Sequence, residues 1–282
     1  MQPQTPPAAF SGKTRLVPIL AHPVDHVRAP RTYNPAFAAA GLDWVMVAMG
    51  VHPDALEATL AALANVSNLQ GVNLTIPHKA AAHRLCGWLT AEARSTGMAN
   101  TIRLEVDGTW AGANSDGIGF LGAARAHELL DPTKPVAIAG AGGAGTAIAF
   151  ALAAAGVRKI DVFDIDSERA EVLQRALRAA FPELNAGTRR DDALRGAGLA
   201  VNATPMGLHD GEPAPFDASQ LPAGAALFDI IAARDTELMA AANARGLRVL
   251  GGRAMVEHQV AHQIAFWRRD PAIALERAAP RR

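Results

Sequence analysis

The sequence predicts two α/β domains in series, on three observations. Apolar runs of strand length alternate with helix-length segments from Arg15 to Trp267, as in βαβ units built on parallel sheets. The alternation is broken at Asp131-Pro-Thr-Lys-Pro135, where two prolines mark a hinge. Directly after it, residues 136–166 read VAIAGAGGAGTAIAFALAAAGVRKIDVFDID. An apolar run, a GxGxxG turn, an Ala-rich helix and a second apolar run ending in an acid form the βαβ unit of a Rossmann-type dinucleotide-binding domain. A length of 282 residues accommodates both domains.

Taken in order, residues 1–14 carry no apolar core for a signal peptide and are expected to be a disordered leader. The first domain is expected over 15–118. Arg15–Leu20 reads as a strand, followed by a Pro-bracketed turn and a helix through Ala36–Ala40. Trp44–Val51 is a second strand, Pro53–Ala64 a helix with Pro at its first position, and Gly71–Ile76 a third strand. A helical stretch starts at His78, and Thr101–Val106, Asp107-Gly108 and Thr109–Ala113 make a hairpin. Asp116–Leu130 reads as a helix, so that a linker helix and hinge fall over 119–135. The second domain, 136–252, has strands expected at 136–139, 160–163, 198–202, 226–231 and 247–250. A last helix, Met255–Trp267, lies in a final segment over 253–282, and Arg277, Arg281 and Arg282 read as a solvated tail.

Composition narrows the partners. Lys plus Arg and Asp plus Glu are equal at 27 each, which argues against nucleic acid or an anionic membrane as a partner. No apolar stretch approaches the ~20 residues that span a bilayer. The single Cys86 excludes an intrachain disulfide. His258 and His262 share a helical spacing, as do His22 and His26, but neither pair is completed by a carboxylate or Cys, and no metal is expected. A cytoplasmic enzyme acting on a small molecule, monomeric or homodimeric, is the expectation.

Within the Gly-rich turn each residue has a task. Gly140 permits the tight turn, Gly142 lets the backbone approach a pyrophosphate, and Gly145 lets helix and strand pack closely. Gly143 and Ala144 open the helix, whose first N–H groups lack intrahelical partners and suit phosphate. Asp164 lies about 20 residues on, where a carboxylate accepts hydrogen bonds from ribose hydroxyls. A 2′-phosphate would meet the charges of Asp164 and Asp166, with Arg169 one turn further beside Glu168. NAD is therefore expected over NADP, although Asp166 or Ser167 also reads as the cap of the next helix.

Two polar clusters follow predicted strands. GVNLTIPHK ends at Lys79, and GANSDG contains Asp116. A lysine beside an aspartate can shuttle a proton to or from a hydroxyl. Any lysine used as a base must work well below its usual pKa of about 10.4; burial favours this and a carboxylate opposes it. Asp116 then serves mainly to orient. A structural ion pair, or a helix cap by Asp116, is the alternative.

GVNLTIPHK, TGMANT (96–101), GANSDGIGF (112–120), GAGGAG (140–145), NATPMG (202–207) and the run around Gly252, Met255 and Gln259 together resemble the shikimate dehydrogenase family, in family order and over nearly the whole chain. The resemblance implies a substrate-binding first domain and a last helix that returns to it. It also implies reversible hydride transfer between a ring hydroxyl of shikimate, quinate or a related polyol acid and nicotinamide. Lys79 and Asp116 would be the catalytic pair, and Asn73, Thr75, Asn100 and Gln259 would bind substrate hydroxyls. Asn202, Thr204, Pro205, Met206 and Gly252 would border the cofactor.

The chain also departs from that family's pattern. Two serines that hold the substrate carboxylate in the family are Val27 and Ala29 here. Each hydrogen bond to a charged group is worth roughly 1.5–3 kcal/mol, so the loss is large unless another group substitutes. Arg28 is the expected substitute through a bidentate contact, with Arg31 second; the alternative leaves both in solvent. Ala232, Ala254 and His258 stand where the family carries Tyr, Gly and Tyr. Asp164-Ile165-Asp166 replaces the Asn-Arg-Thr of NADP-using members, again pointing to NAD. These changes favour a divergent subgroup, with a related polyol as a candidate substrate. Other readings are a methylene-tetrahydrofolate-type dehydrogenase, which the GANSDG and NATPMG blocks fit less well, and a non-catalytic NAD-binding regulator. Retention of Lys79, Asp116, Asn73, Asn100 and Gln259 together argues against the regulator.

Overall fold

The structure, a computed structural model, describes residues 10–278. The expectations for residues 1–9 and for Arg281 and Arg282 lie outside the described residues. The last residues assigned to the leader are anchored instead. Ser11 N–H donates to Thr14 Oγ1 (2.9 Å), Thr14 is buried, and Asn68 Nδ2 donates to the Thr14 carbonyl (2.9 Å).

The first half of the chain runs β1 (Arg15–Ala21), α1 (Pro30–Ala39), β2 (Trp44–Gly50), α2 (Leu56–Leu63), β3 (Val72–Leu74), α3 (Lys79–Leu85), β4 (Cys86–Leu89), α4 (Ala91–Thr96), β5 (Thr101–Leu104), β6 (Trp110–Ala113) and α5 (Asp116–Ala126). The second half runs β7 (Val136–Ala139), α6 (Gly143–Ala154), β8 (Lys159–Phe163), α7 (Ser167–Ala180), β9 (Asn185–Gly187), α8 (Arg190–Gly196), β10 (Leu199–Asn202), β11 (Ala226–Asp229), α9 (Glu237–Ala244), β12 (Arg248–Gly251), α10 (Gly252–Trp267) and β13 (Glu276–Arg277). Two sheets result, ordered β13-β4-β6-β5-β3-β1-β2 and β12-β11-β10-β7-β8-β9. The second is wholly parallel. Its strand order reverses between β7 and β10, where doubly wound sheets bind ligands beyond the strand ends. Among the described residues no helix is long and apolar enough to cross a membrane.

Local chemistry explains where the elements stop. Pro30 opens α1 at the first helical position. Asp166 caps α7 by accepting from the N–H groups of Glu168 and Arg169. The third strand is shorter than its apolar run: the chain turns after Leu74, with His78 N–H bonded to the Thr75 carbonyl (2.8 Å). Gly71 lies under Trp267, where a Cβ would come 2.2 Å from Cδ1. The helix expected to reach Leu130 stops at Ala126, and Glu128 takes a left-handed backbone (φ 54°).

The first sheet rests on an aromatic cluster of Tyr33, Phe37, Trp44 and Trp267, so the last helix seals the first domain. Helix α5 joins the domains. Phe120 stacks on Phe228 of β11 with ring centroids 4.6 Å apart. A Cβ at Gly117 would meet the Ala147 carbonyl of α6 at 2.6 Å, and one at Gly119 would meet Gln259 Cγ of α10 at 2.3 Å. Bare glycine surfaces thus let α5 sit against α6 and α10 together.

Candidate active site

Four segments converge where α5 begins. The turn after β3 delivers Lys79, the first residue of α3, and the segment entering β5 delivers Asn100. β6 ends just before Asp116, and α10 crosses back with Gln259. Lys79 Nζ donates to Asp116 Oδ2 at 2.5 Å, with the aspartate 5% and the lysine 16% exposed. The other oxygen of Asp116 accepts from Asn100 Nδ2 (2.9 Å) and Gln259 Nε2 (3.3 Å). The Asp116 N–H donates to Asn114 Oδ1 (3.0 Å), which fixes the residue at the start of its helix. Three donors on one buried carboxylate hold it in a single orientation. Asn73 is buried nearby and donates to Gln263 Oε1 (2.6 Å). Thr75 is half-buried, its N–H donating to the Leu20 carbonyl (3.1 Å).

The Gly-rich turn stands across from this cluster. A Cβ on Gly143 would lie 3.4 Å from Met98 Sδ, two residues before Asn100. Gly140 has φ +103°, and a Cβ on Gly145 would lie 1.9 Å from the Gly140 carbonyl oxygen. A Cβ on Gly142 meets nothing within 4 Å. The turn is therefore tight beneath and open above, and α6 starts there, with Gly143, Ala144 and Gly145 in its first turn. This cradle fits a dinucleotide pyrophosphate. The loop after β10 forms its other wall: a Cβ on Gly140 would be 2.9 Å from Ala203 and 3.0 Å from Thr204 Cγ2. Thr204 Oγ1 donates to Asn202 Oδ1 (2.7 Å) and accepts from Met206 N–H (3.1 Å), while the Pro205 carbonyl accepts from Leu208 N–H (3.0 Å).

Several residues hold the scaffold instead of facing a ligand. Asn202 is fully buried, and its Nδ2 donates to Asp229 Oδ1 (3.1 Å) and the Met206 carbonyl (3.2 Å), so it fixes the loop from behind. Burial raises the pKa of Asp229, and its hydrogen bonds from Thr236, Ile231 and Asn202 oppose the rise. Gly252 is required by packing, because a Cβ there would lie 1.9 Å from the Ile230 carbonyl oxygen. Arg28 folds onto its own loop, donating to the carbonyls of Asp25 (2.5 Å) and Val27 (3.3 Å). Asp164 Oδ2 accepts from Ala141 N–H (2.7 Å) and Oδ1 from Asp166 N–H (3.0 Å). Asp166 caps α7 and pairs with Arg169 Nε (3.1 Å).

Three residues of the cluster escaped the sequence reading. Gln263 Nε2 donates to Ser115 Oγ (2.6 Å), and Tyr33 OH donates to Gln263 Oε1 (3.0 Å). Gln263 follows Gln259 by one helical turn, a spacing that puts both amides on one face and was the available signal. Tyr33, the chain's single tyrosine, lies in no motif.

Residues 19–102 match the family model described as the shikimate dehydrogenase substrate binding domain. The shikimate dehydrogenase (NADP(+)) of Rubrobacter xylanophilus is 36% identical over 279 residues, covering 96% of each chain. Among solved structures, shikimate 5-dehydrogenase of Thermus thermophilus in complex with NADP(H) and shikimate superposes with a TM-score of 0.80 at 33% identity, over 90% of this chain and 93% of that one. The ligand-free 5-ketofructose reductase of Gluconobacter sp. strain CHM43 gives 0.80 at 25% identity, over 91% and 94%. The curated relatives are named for NADP(+), which overturns the expected preference for NAD. The physical reason lies after β8, where backbone already engages both acids read as ribose ligands: Asp164 accepts from the Ala141 N–H of the Gly-rich turn and from Asp166 N–H, and Asp166 caps α7. Fold, site and sequence agree, and the chain belongs to the shikimate dehydrogenase family of NAD(P)-dependent oxidoreductases.

Proposed function

We propose that the chain interconverts a ring hydroxyl and a ketone on a shikimate-type polyhydroxy acid, with NADP as its dinucleotide. The observation that carries this reading is the Lys79 Nζ–Asp116 Oδ2 contact of 2.5 Å, held by two amides opposite the Gly-rich cradle. In the oxidative direction Lys79 Nζ takes the hydroxyl proton, and in the reductive direction it returns it. Asp116 Oδ2 fixes Nζ for that exchange. Asn73, Thr75, Asn100 and Gln259 bind the remaining hydroxyls and set the ring's orientation. The dinucleotide, when bound, would supply the hydride acceptor for oxidation and, in its reduced form, the hydride donor for reduction. Residues Gly140–Gly145 and the start of α6 hold its pyrophosphate, and Thr204, Pro205 and Met206 exclude water from its reactive end. Arg169, in the first turn of α7 and paired with Asp166, is the cation beside the loop after β8 that suits a 2′-phosphate. The working parts are residues 15–118 for substrate, 136–252 for dinucleotide, and 253–282 as the segment that returns to the first domain.

A second substrate reading rests on the wall formed by the loop before α1. Val27 and Ala29 pack against the apolar cluster of the first domain, and Arg28 is bonded to its own backbone. That wall offers a carboxylate little and suits an uncharged polyol or keto-sugar, the class of substrate for which the Gluconobacter neighbour is named.

The test is NADPH absorbance on mixing the protein with NADP and shikimate, quinate or a carboxylate-free polyol, with the Lys79→Ala variant as control. Turnover of shikimate that falls by roughly 10²–10⁴ in the variant is expected for loss of a general acid–base. Turnover confined to the neutral polyol would establish the second reading. No turnover of any of them, or full turnover by the variant, would remove the proposal.

A further inference from the structure

Behind the candidate catalytic pair lies a buried hydrogen-bond relay with a single direction. Tyr33 OH donates to Gln263 Oε1 (3.0 Å) and Gln263 Nε2 to Ser115 Oγ (2.6 Å). Ser115 Oγ donates to Asn100 Oδ1 (3.1 Å), and Asn100 Nδ2 to Asp116 Oδ1 (2.9 Å). A parallel branch runs from Gln263 Nε2 to Gln259 Oε1 (3.3 Å) and from Gln259 Nε2 to the same Asp116 oxygen (3.3 Å). Gln263 Oε1 also accepts from Asn73 Nδ2 (2.6 Å). Tyr33, Gln263, Ser115, Asn100, Asp116, Gln259 and Asn73 are all buried.

The two ends of this relay differ in kind. Asp116 is a carboxylate and only accepts. Tyr33 is a phenol kept protonated by burial and by the nearby charge of Asp116, both of which raise its pKa, so it remains a donor. Amide side chains can turn end for end, and their orientation follows from their neighbours. The carboxylate at one end, the Ser115 N–H on Asn100 Oδ1 (3.1 Å) and the phenol proton on Gln263 Oε1 agree on one orientation for Gln263, Ser115, Asn100 and Gln259. The same orientation commits an Asn73 N–H to Gln263, leaving its Oδ1 as the acceptor for a substrate hydroxyl. Such chains also polarise one another.

We propose that Tyr33 and Gln263 are positioning residues: they set the polarity of the amides around Asp116, and through it the placement of Lys79 and of the substrate hydroxyls. The proposal rests on the reading of Lys79 and Asp116 as the proton-transferring pair.

The test compares wild type with Tyr33→Phe and Gln263→Glu, and with Phe37→Leu as a control that loosens the packing around Tyr33 while leaving every hydrogen-bonding group of the relay in place. Tyr33→Phe removes the donor. Gln263→Glu keeps an acceptor for Tyr33 and Asn73 but loses the N–H groups that feed Ser115 and Gln259. Both are expected to lower kcat by roughly tenfold or more, the scale of losing one orienting hydrogen bond, while the dissociation constant for NADPH stays within about twofold. Phe37→Leu is expected to lower Tm and leave kcat near wild type. Modification of Lys79 by an amine-directed acylating reagent, followed by peptide mass spectrometry, reads the relay without turnover. It is expected to run several-fold faster in both relay variants, because a less ordered Asp116 protects the amine less. Wild-type kcat and labelling in Gln263→Glu, or losses in Phe37→Leu equal to those in Tyr33→Phe at the same Tm, would overturn the positioning role. Should Tyr33→Phe not fold, Gln263→Glu decides alone. Should wild type turn over no substrate, the dehydrogenase reading fails, and the labelling rates still decide the relay.

Discussion

Gly145 admits no side chain at all. A Cβ there would sit 1.9 Å from the Gly140 carbonyl oxygen, whereas one on Gly142 would stand in open space. Gly145→Ala is expected to weaken NADPH binding at least tenfold by opening the turn, measured by fluorescence titration, and an unchanged affinity would refute its packing role. These glycines could be read from the sequence because each answers a backbone requirement that leaves a fixed spacing. Lys79 and Asp116 could be read because each follows a strand that points at the cleft. The carboxylates of Asp164 and Asp166 were misread for a reason the spacing hides. A side chain placed to reach a ribose is equally placed to reach nearby backbone N–H groups; here Asp164 takes those of Ala141 in the Gly-rich turn and of Asp166, and Asp166 takes those of its own helix start. Arg28 fails in the same way, satisfied by carbonyls one and three residues away.

At the level of elements, α5 governs the site through what it lacks. A Cβ on Gly119 would lie 2.3 Å from Gln259 Cγ and 2.6 Å from the Met255 carbonyl oxygen, and backbone cannot yield as a flexible side chain does. Gly119→Ala is therefore expected to destabilise by about 1–3 kcal/mol and to move Gln259 away from Asp116. A fall in both Tm and kcat checks this, and a variant with wild-type kcat would show that the helix contact does not set the carboxylate's geometry. The main βα alternation was legible because its apolar runs are long. The strands Cys86–Leu89, Asn185–Gly187 and Glu276–Arg277 were not, since they are short, polar or broken by glycine, and pairing with neighbours already in place makes them strands. The third strand is trimmed at both ends: Trp267 lies over Gly71 before it, and the chain turns at Thr75 after it, which the apolar run does not record.

At the scale of the whole molecule, acid should loosen the fold. Burial lowers the pKa of His78, His83 and His262 below the ordinary 6.5, so the folded chain favours neutral imidazoles. Below that value the unfolded chain binds protons that the folded chain resists. Stability is thus fully present above pH 6.5 and declines as pH falls through and beneath it. Tm followed across this range by calorimetry should be flat on the alkaline side and fall on the acid side; a Tm that holds steady into acid would mean that these rings carry charge in the fold. The two-domain plan and the return of the last helix were legible, whereas the return of β13 to the edge of the first sheet was not, because a two-residue polar strand is made only by pairing with β4. That double return orders the chain's birth on the ribosome. Gln259 and Gln263 emerge long after Tyr33, Asn73, Ser115 and Asp116, to which they bond, and Glu276 and Arg277 pair with Leu89 and Trp88 only once all six strands of the second sheet have been translated. The half of the molecule that is made first is finished last, so a nascent chain holds Lys79 and Asp116 in an incomplete pocket until its final helix is released.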